Sequence, residues 1–231
     1  MDIHSLPNKY SFLQAWLHDN VIADRALGLH AYILEYGKLV NVLAEHKERF
    51  LLDVGCGGGQ SAIRLKEHYP HLCLTGIDLS TYLIARARQR AQRKGYEIHF
   101  EVADAEALPF PDASFDIVYS FGSAKHWPDP LRAFGECWRV LKPGGEFLVA
   151  DATSDATLEQ AENFYAIARF PRLLQKPVSA LLYKRMFCPS LSVETYRQMA
   201  AKLQMPPATV SHLPSMPAFL FRTQKPIPSR I

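Results

Sequence analysis

The apolar positions of this chain change their spacing near residue 50. From Phe12 to His46 they recur every three or four residues (Trp16, Leu17, then Leu29, Ile33, Tyr36, Leu39, Val40, Leu43), which is one face of a helix, and two helices are expected there. Beyond that, short apolar runs at 50–54, 73–78, 98–103, 115–121 and 146–151 read as strands, separated by helical stretches at 60–68, 80–94 and 130–141. Several of these runs do not alternate with polar residues, as happens when helices cover both faces of a parallel sheet. The pattern predicts a doubly wound α/β domain.

Punctuation agrees. Pro143 and Gly144 in LKPGG predict a type II turn into the fifth strand, and Ser80 is placed to cap the helix that follows it. After Asp151 the alternation becomes irregular, with a helix at 158–170, a proline-interrupted apolar segment to Pro189, and a helix at 192–203. Two last runs, ATVSHL and AFLFRTQ, joined through PSMP, predict an antiparallel pair closing one edge of the sheet. Residues 1–231 thus read as one domain: a helical cap (1–46), a core (50–153), a lid (154–190), and a C-terminal helix with its strand pair (191–231). The length of 231 residues suits a single core.

Composition narrows the function classes more than the fold. The chain is 48% hydrophobic and 21% charged with a formal net charge of +3, too mild for nucleic acid or an anionic membrane to be an expected partner. Its four cysteines (Cys56, Cys73, Cys137, Cys188) lie far apart with no CxxC pair, so neither a metal site nor a disulfide framework is expected. A reducing cytoplasm is the expected compartment. Neither a signal peptide nor a membrane span is expected, because no uncharged apolar run reaches the needed length of about 18 residues.

The chemistry concentrates in LLDVGCGGGQ, residues 51–60. In a doubly wound sheet, ligands bind at the carboxyl ends of the strands, where Asp53, Asp78 and Asp104 are all expected to sit. Gly55, Gly57 and Gly59 permit positive φ and a close approach of backbone to ligand. Asp78, beside Leu79 at the end of the second strand, is placed to accept hydrogen bonds from two ribose hydroxyls, while Asp104 and the Ala105 amide suit an adenine. The run Gly57–Ala62 also matches the dinucleotide pattern GxGxxA, which by itself is weak. Asp53 separates the two ligands. A diphosphate would meet an uncompensated carboxylate, whereas S-adenosylmethionine carries an ammonium and a sulfonium and no phosphate.

Taken in order, DVGCGGG, IDLS, VADAEALPFPDASFDIVYS and RVLKPGGEFLV resemble the class I S-adenosylmethionine-dependent methyltransferases over roughly residues 50–153. LPFPDASFDIVYSFG followed by LKPGG is similar to the quinone-biosynthesis C-methyltransferases in particular. The resemblance implies a Rossmann-like seven-stranded sheet with a reversed final strand, and S-adenosyl-L-methionine as cofactor. It further implies that Asp53, Gly55 and Gly57 line the methionine and ribose part, with Cys56 and Gly59 in the same turn. Asp78 would hold the ribose, Asp104 and Ala105 the adenine, and Ser120 would lie beside the methionine.

For chemistry, His126 in SFGSAKHWPDP is the candidate base, since the loop after the fourth strand is placed over the crevice and a neutral imidazole accepts protons near pH 7. Tyr32 and Asp151 stand behind it. The bland alternative is that His126 and Trp127 pack the loop or form a pocket wall. Trp16, Tyr32, Trp127, Phe164 and Tyr183 are candidates to line a pocket for an aromatic or apolar small molecule, and core packing is the competing role for each. The basic stretch Arg86, Arg88, Arg90, Arg93, Lys94 reads as a solvated helix face. Two other functions remain open: an RNA methyltransferase sharing the cofactor site, and a non-catalytic methyltransferase-like partner protein. Neither the acceptor atom nor the oligomeric state is encoded legibly.

Overall fold

The computed structural model describes residues 43, 48–167, 190–213 and 216–228, with side chains described only to 164 in the stretch that ends at 167. The expected N-terminal helices with Trp16 and Tyr32, the proline-interrupted segment with Tyr183, and Cys188 lie outside the described residues.

Seven strands form one sheet: β1 (Arg49–Val54), β2 (Leu72–Asp78), β3 (His99–Val102), β4 (Phe115–Phe121), β5 (Leu141–Ala152), β6 (Thr209–His212) and β7 (Ala218–Gln224). Their order is β3-β2-β1-β4-β5-β7-β6. β1 to β5 pair in parallel, and β7, the expected reversed final strand, runs antiparallel to both β5 and β6, with β6 at the sheet edge. Strand order reverses between β1 and β4, so the connections that leave their carboxyl ends run in opposite directions and open a crevice there.

Alternate side chains explain why the strands read as apolar runs. Leu52, Val118, Phe147, Val149, Phe219 and Phe221 point into one core layer, while their neighbours Leu51, Ile117, Tyr119, Leu148, Ala150 and Leu220 point into the other. Both faces are dry, so both positions of the two-residue repeat are mostly apolar, and the buried polar residues Asp53, Ser120 and Asp151 stand near the carboxyl ends of their strands. Phe134, from the helix on the first face, stands edge-on to Phe147 and Phe221 with ring centroids at 5.0 and 5.3 Å.

Local signals set the helix ends. α1 (Gln60–His68) starts at Gly59, whose φ of 78° no β-branched residue would accept, and it has no side-chain cap. α2 (Thr81–Lys94) is capped by Ser80, which accepts from the Leu83 amide, and stops at Gly95 in the left-handed region. α3 (Pro130–Val140) has Asp129 accepting from the Arg132 amide and Pro130 in its first turn, where no N–H is needed. α4 (Leu158–Ile167) and α5 (Val193–Lys202, capped by Ser192) complete the helices of the described residues. The last two correspond to the stretches expected at 158–170 and 192–203.

The turn at LKPGG differs from expectation. Gly144 does take positive φ (79°), yet β5 begins before it, at Leu141. Phe115 pairs with Leu141 and Ile117 with Glu146, so residues 142–145 bulge out of the ladder instead of preceding it. The bulge is not left bare: the Gly144 amide donates to the Lys225 carbonyl and the Lys225 amide to the Gly145 carbonyl, at 2.8 and 2.9 Å. Arg139, at the end of α3, ties down the segment before β4 by donating to the Phe110 and Leu108 carbonyls and to Asp112 and Glu136. This links LPFPDASF to RVLKPGG, two stretches that are separate in sequence.

Candidate active site

Three carboxylates end neighbouring strands. Asp53 on β1 lies one residue short of the strand end, Asp78 closes β2, and Asp104 lies two residues past the end of β3, after Ala103, whose amide donates to the Asp78 carbonyl at 3.2 Å. Asp53 is 2% exposed, and its Oδ2 has no hydrogen-bond partner. Burial, and then the charge of Asp78, push its carboxyl up to about 7. Burial also raises Asp78, against the Ser80 and Gly57 amides that donate to it at 2.8 and 3.1 Å. Two facing carboxylates, one with an unmet oxygen, form a buried site suited to a cation. Asp104 spends one oxygen on the Glu106 amide at 2.9 Å, an Asx turn and not the helix cap that the following residues would allow; its second oxygen has no such duty. Leu79 is half-buried between Asp78 and the capping Ser80, and Ala105 packs in the first core layer.

Each glycine of the turn meets a different constraint. A Cβ on Gly55 would lie 2.1 Å from the Ser123 Oγ; one on Gly59 would lie 2.8 Å from the Ala87 Cβ and 2.9 Å from Phe100. These two are glycine because neighbours fill the space. Gly57 (φ 54°) is different, since a Cβ there meets nothing within 4 Å among the described residues. Its surroundings leave room for a ligand against bare backbone. Cys56 is buried with its Sγ where a Cβ on Gly76 would fall at 2.9 Å, and burial with the nearby Asp53 charge holds its thiol well above the usual range. It fits the turn as a small, unreactive residue.

The loop after β4 closes the other side. Ser120 is fully buried, its Oγ 3.1 Å from that of Ser123, which donates to the Val54 carbonyl at 3.0 Å. Ser123 therefore joins β4 to the glycine turn, a contact hidden in sequence by a separation of 69 positions. His126 ends a 3₁₀ turn (Ala124–His126) and is half-buried; its amide donates to the Ser123 carbonyl at 2.9 Å. The turn is pinned by Asp151 at the end of β5, whose Oδ2 accepts from the Lys125 amide at 3.0 Å and whose Oδ1 accepts from the Lys125 ammonium at 3.2 Å. With its carboxylate paired in this way, Asp151 anchors the loop and is not available as the reserve base. Trp127 lies against the first core layer, edge-on to Phe134 at 6.1 Å, and Phe164 packs on the second.

The basic stretch on α2 is only partly solvated. Arg88 donates twice to the Phe100 carbonyl (3.0 and 2.6 Å), Arg90 donates to the Gly58 carbonyl (2.8 Å), and Lys94 pairs with Glu67. A count of charges cannot show this, because the acceptors of Arg88 and Arg90 are backbone atoms.

The family profile of the methyltransferase domain matches residues 52–149. The chain is 35% identical over 130 residues to the demethylmenaquinone methyltransferase of Thermus thermophilus, covering 56% of this chain and 59% of that one. It is 42% identical over 103 residues to the 27-O-demethylrifamycin SV methyltransferase of Amycolatopsis mediterranei, covering 44% and 38% respectively. The aligned segments thus span about half the length of these curated relatives. A crystal structure of an S-adenosylmethionine-dependent methyltransferase from Aquifex aeolicus superposes with a TM-score of 0.60 over 84% of this chain and 97% of that one, at 15% identity, a likeness of fold. The acidic strand ends and the bare turn fit S-adenosylmethionine, the cofactor of that fold's methyltransferases. Residues 52–149 thus match the methyltransferase domain family, and about half of the chain is similar to demethylmenaquinone methyltransferases and other small-molecule methyltransferases.

Proposed function

We propose that this chain methylates a small metabolite of aromatic or apolar character by direct displacement, with S-adenosylmethionine as donor and a reducing cytoplasm as its compartment. The observation that carries the proposal is the buried Asp53 carboxylate with an unmet oxygen beside Asp78. A dinucleotide's phosphates would add negative charge at that point; an ammonium neutralises it. When bound, the cofactor supplies a methyl group activated by a sulfonium. Asp53 binds the ammonium, Asp78 accepts from the ribose hydroxyls, Asp104 and Ala105 take the adenine edge, and Gly55, Gly57 and Ser120 flank the methionine part. His126 accepts the proton that a phenol, thiol or carbon acid must lose, and Ser123 and Asp151 hold its turn in place. The names of the relatives, which cite demethylmenaquinone and 27-O-demethylrifamycin SV, support a small-molecule acceptor.

Calorimetric titration with S-adenosylmethionine and with NAD tests the cofactor. Binding of the former alone, lost in Asp78→Ala, is the expected result; preference for NAD, or undiminished binding by the variant, refutes the reading. Incubation with metabolite extracts, read as a mass gain of one methylene, identifies the acceptor.

A further inference from the structure

The glycine turn is held in shape from outside. Residues 55–59 are glycine except for Cys56, so the free segment samples more backbone conformations than almost any other, and neighbours must offset the entropy of ordering it. On the β2 side, the Gly55 and Cys56 amides both donate to the Ile77 carbonyl at 2.8 Å, and the Gly57 amide donates to Asp78. The peptide plane between Gly58 and Gly59 is held at both ends. Its N–H donates to the Cys56 carbonyl at 3.0 Å, and its C=O accepts from Arg90 Nη1 at 2.8 Å. Between two glycines such a plane flips with little steric resistance. The next carbonyl, of Gly59, accepts the Ile63 amide and opens α1, so a flip would also disturb the helix start.

We propose that Arg90 is a positioning residue for cofactor binding: from α2 it locks the Gly58–Gly59 peptide, which keeps the Gly57 amide on Asp78 and the space above Gly57 open. The same helix begins with Ser80, whose amide donates to the other oxygen of Asp78, so one rigid element fixes both the ribose carboxylate and the turn facing it. Arg88, two residues before Arg90, serves a different end, since its guanidinium holds the Phe100 carbonyl of β3 and does not reach the turn.

This inference rests on the cofactor reading above, and the test separates the two. S-adenosylmethionine and adenosine are titrated calorimetrically into the full chain and into Arg90→Met, which retains an apolar stem without the donors. Loss of a hydrogen bond to a charged group should lower S-adenosylmethionine affinity about tenfold. Adenosine, which lacks the methionine part facing the turn, should weaken less than threefold. Arg90→Lys should recover S-adenosylmethionine binding to within threefold of the parent, and Arg88→Met should leave it within twofold. Should Arg90→Met fail to fold, Arg90→Gln, too short to span the gap, is expected to show the same loss. An Arg90→Met affinity within twofold of the parent, an equal loss for adenosine, or an equal loss in Arg88→Met overturns the role of Arg90. A parent protein that does not bind S-adenosylmethionine refutes the cofactor reading, and this inference with it.

Discussion

Replacing Asp53 by asparagine should make the free protein more stable at pH 8 and a poorer binder of its cofactor. In the native state the carboxyl is 2% exposed and titrates at about 7, against 3.8 for the ordinary group. A raised pKa means that the folded state holds this proton more tightly than the unfolded chain does. The stability linked to it is fully present below about pH 4 and is lost as pH rises through 7. Three pKa units at 1.36 kcal/mol each give a penalty of about 4 kcal/mol for the ionised group at pH 8. Asparagine removes the charge but buries an amide, which returns about 1 to 2 kcal/mol of that gain. The net expectation is about 2 to 3 kcal/mol of added stability at pH 8 and a loss of about 1 kcal/mol at pH 4, where only the cost of the buried amide remains. Urea unfolding of the free protein at the two pH values measures this from the midpoint, provided the slope is unchanged. The same chemistry makes parent affinity for S-adenosylmethionine rise with pH between 5 and 7, approaching tenfold per unit, as the ammonium displaces the proton; the variant should bind at least tenfold more weakly with a flat profile. If Asp53→Asn is no more stable than the parent at pH 8, or if parent affinity is the same at pH 5 and 7, the picture of an unbalanced buried carboxylate is wrong.

Three further outcomes are expected. Gly57→Ala should remain folded, losing about 1 to 2 kcal/mol to left-handed backbone strain, while its affinity for S-adenosylmethionine drops sharply; Gly55→Ala, with a Cβ 2.1 Å from the Ser123 Oγ, should lose both, as thermal unfolding and calorimetry would show. Lys125→Met leaves the fully buried Asp151 side chain with an uncompensated charge and should cost about 3 to 5 kcal/mol in denaturant unfolding, most of which Lys125→Met combined with Asp151→Asn should recover. His126→Ala should lower turnover at least tenfold with cofactor affinity nearly intact; an unchanged rate with the true acceptor removes His126 from the catalytic role.

The hydrophobic pattern by itself determined the strands of the core, the helices between them and the antiparallel pair at the edge, because a sheet covered on both faces leaves no polar register to confuse the reading. The acidic strand ends were legible too, since the parallel pairing of β1 to β5 puts their carboxyl ends on one side of the sheet. What the tertiary structure decided are contacts whose partners are distant in sequence or are backbone atoms. Ser123 under the glycine turn, Arg90 on the Gly58 carbonyl and the pairing of Asp151 with Lys125 fall in this class, as does the difference between glycines required by packing and the one that leaves room for a ligand. The bulge at 142–145 belongs there as well, because it exists only when β4 and the Lys225 backbone are both in place to pair with it. Periodicity reports which face of an element is dry, but hydrogen bonds across the fold depend on distances that only the packed chain defines.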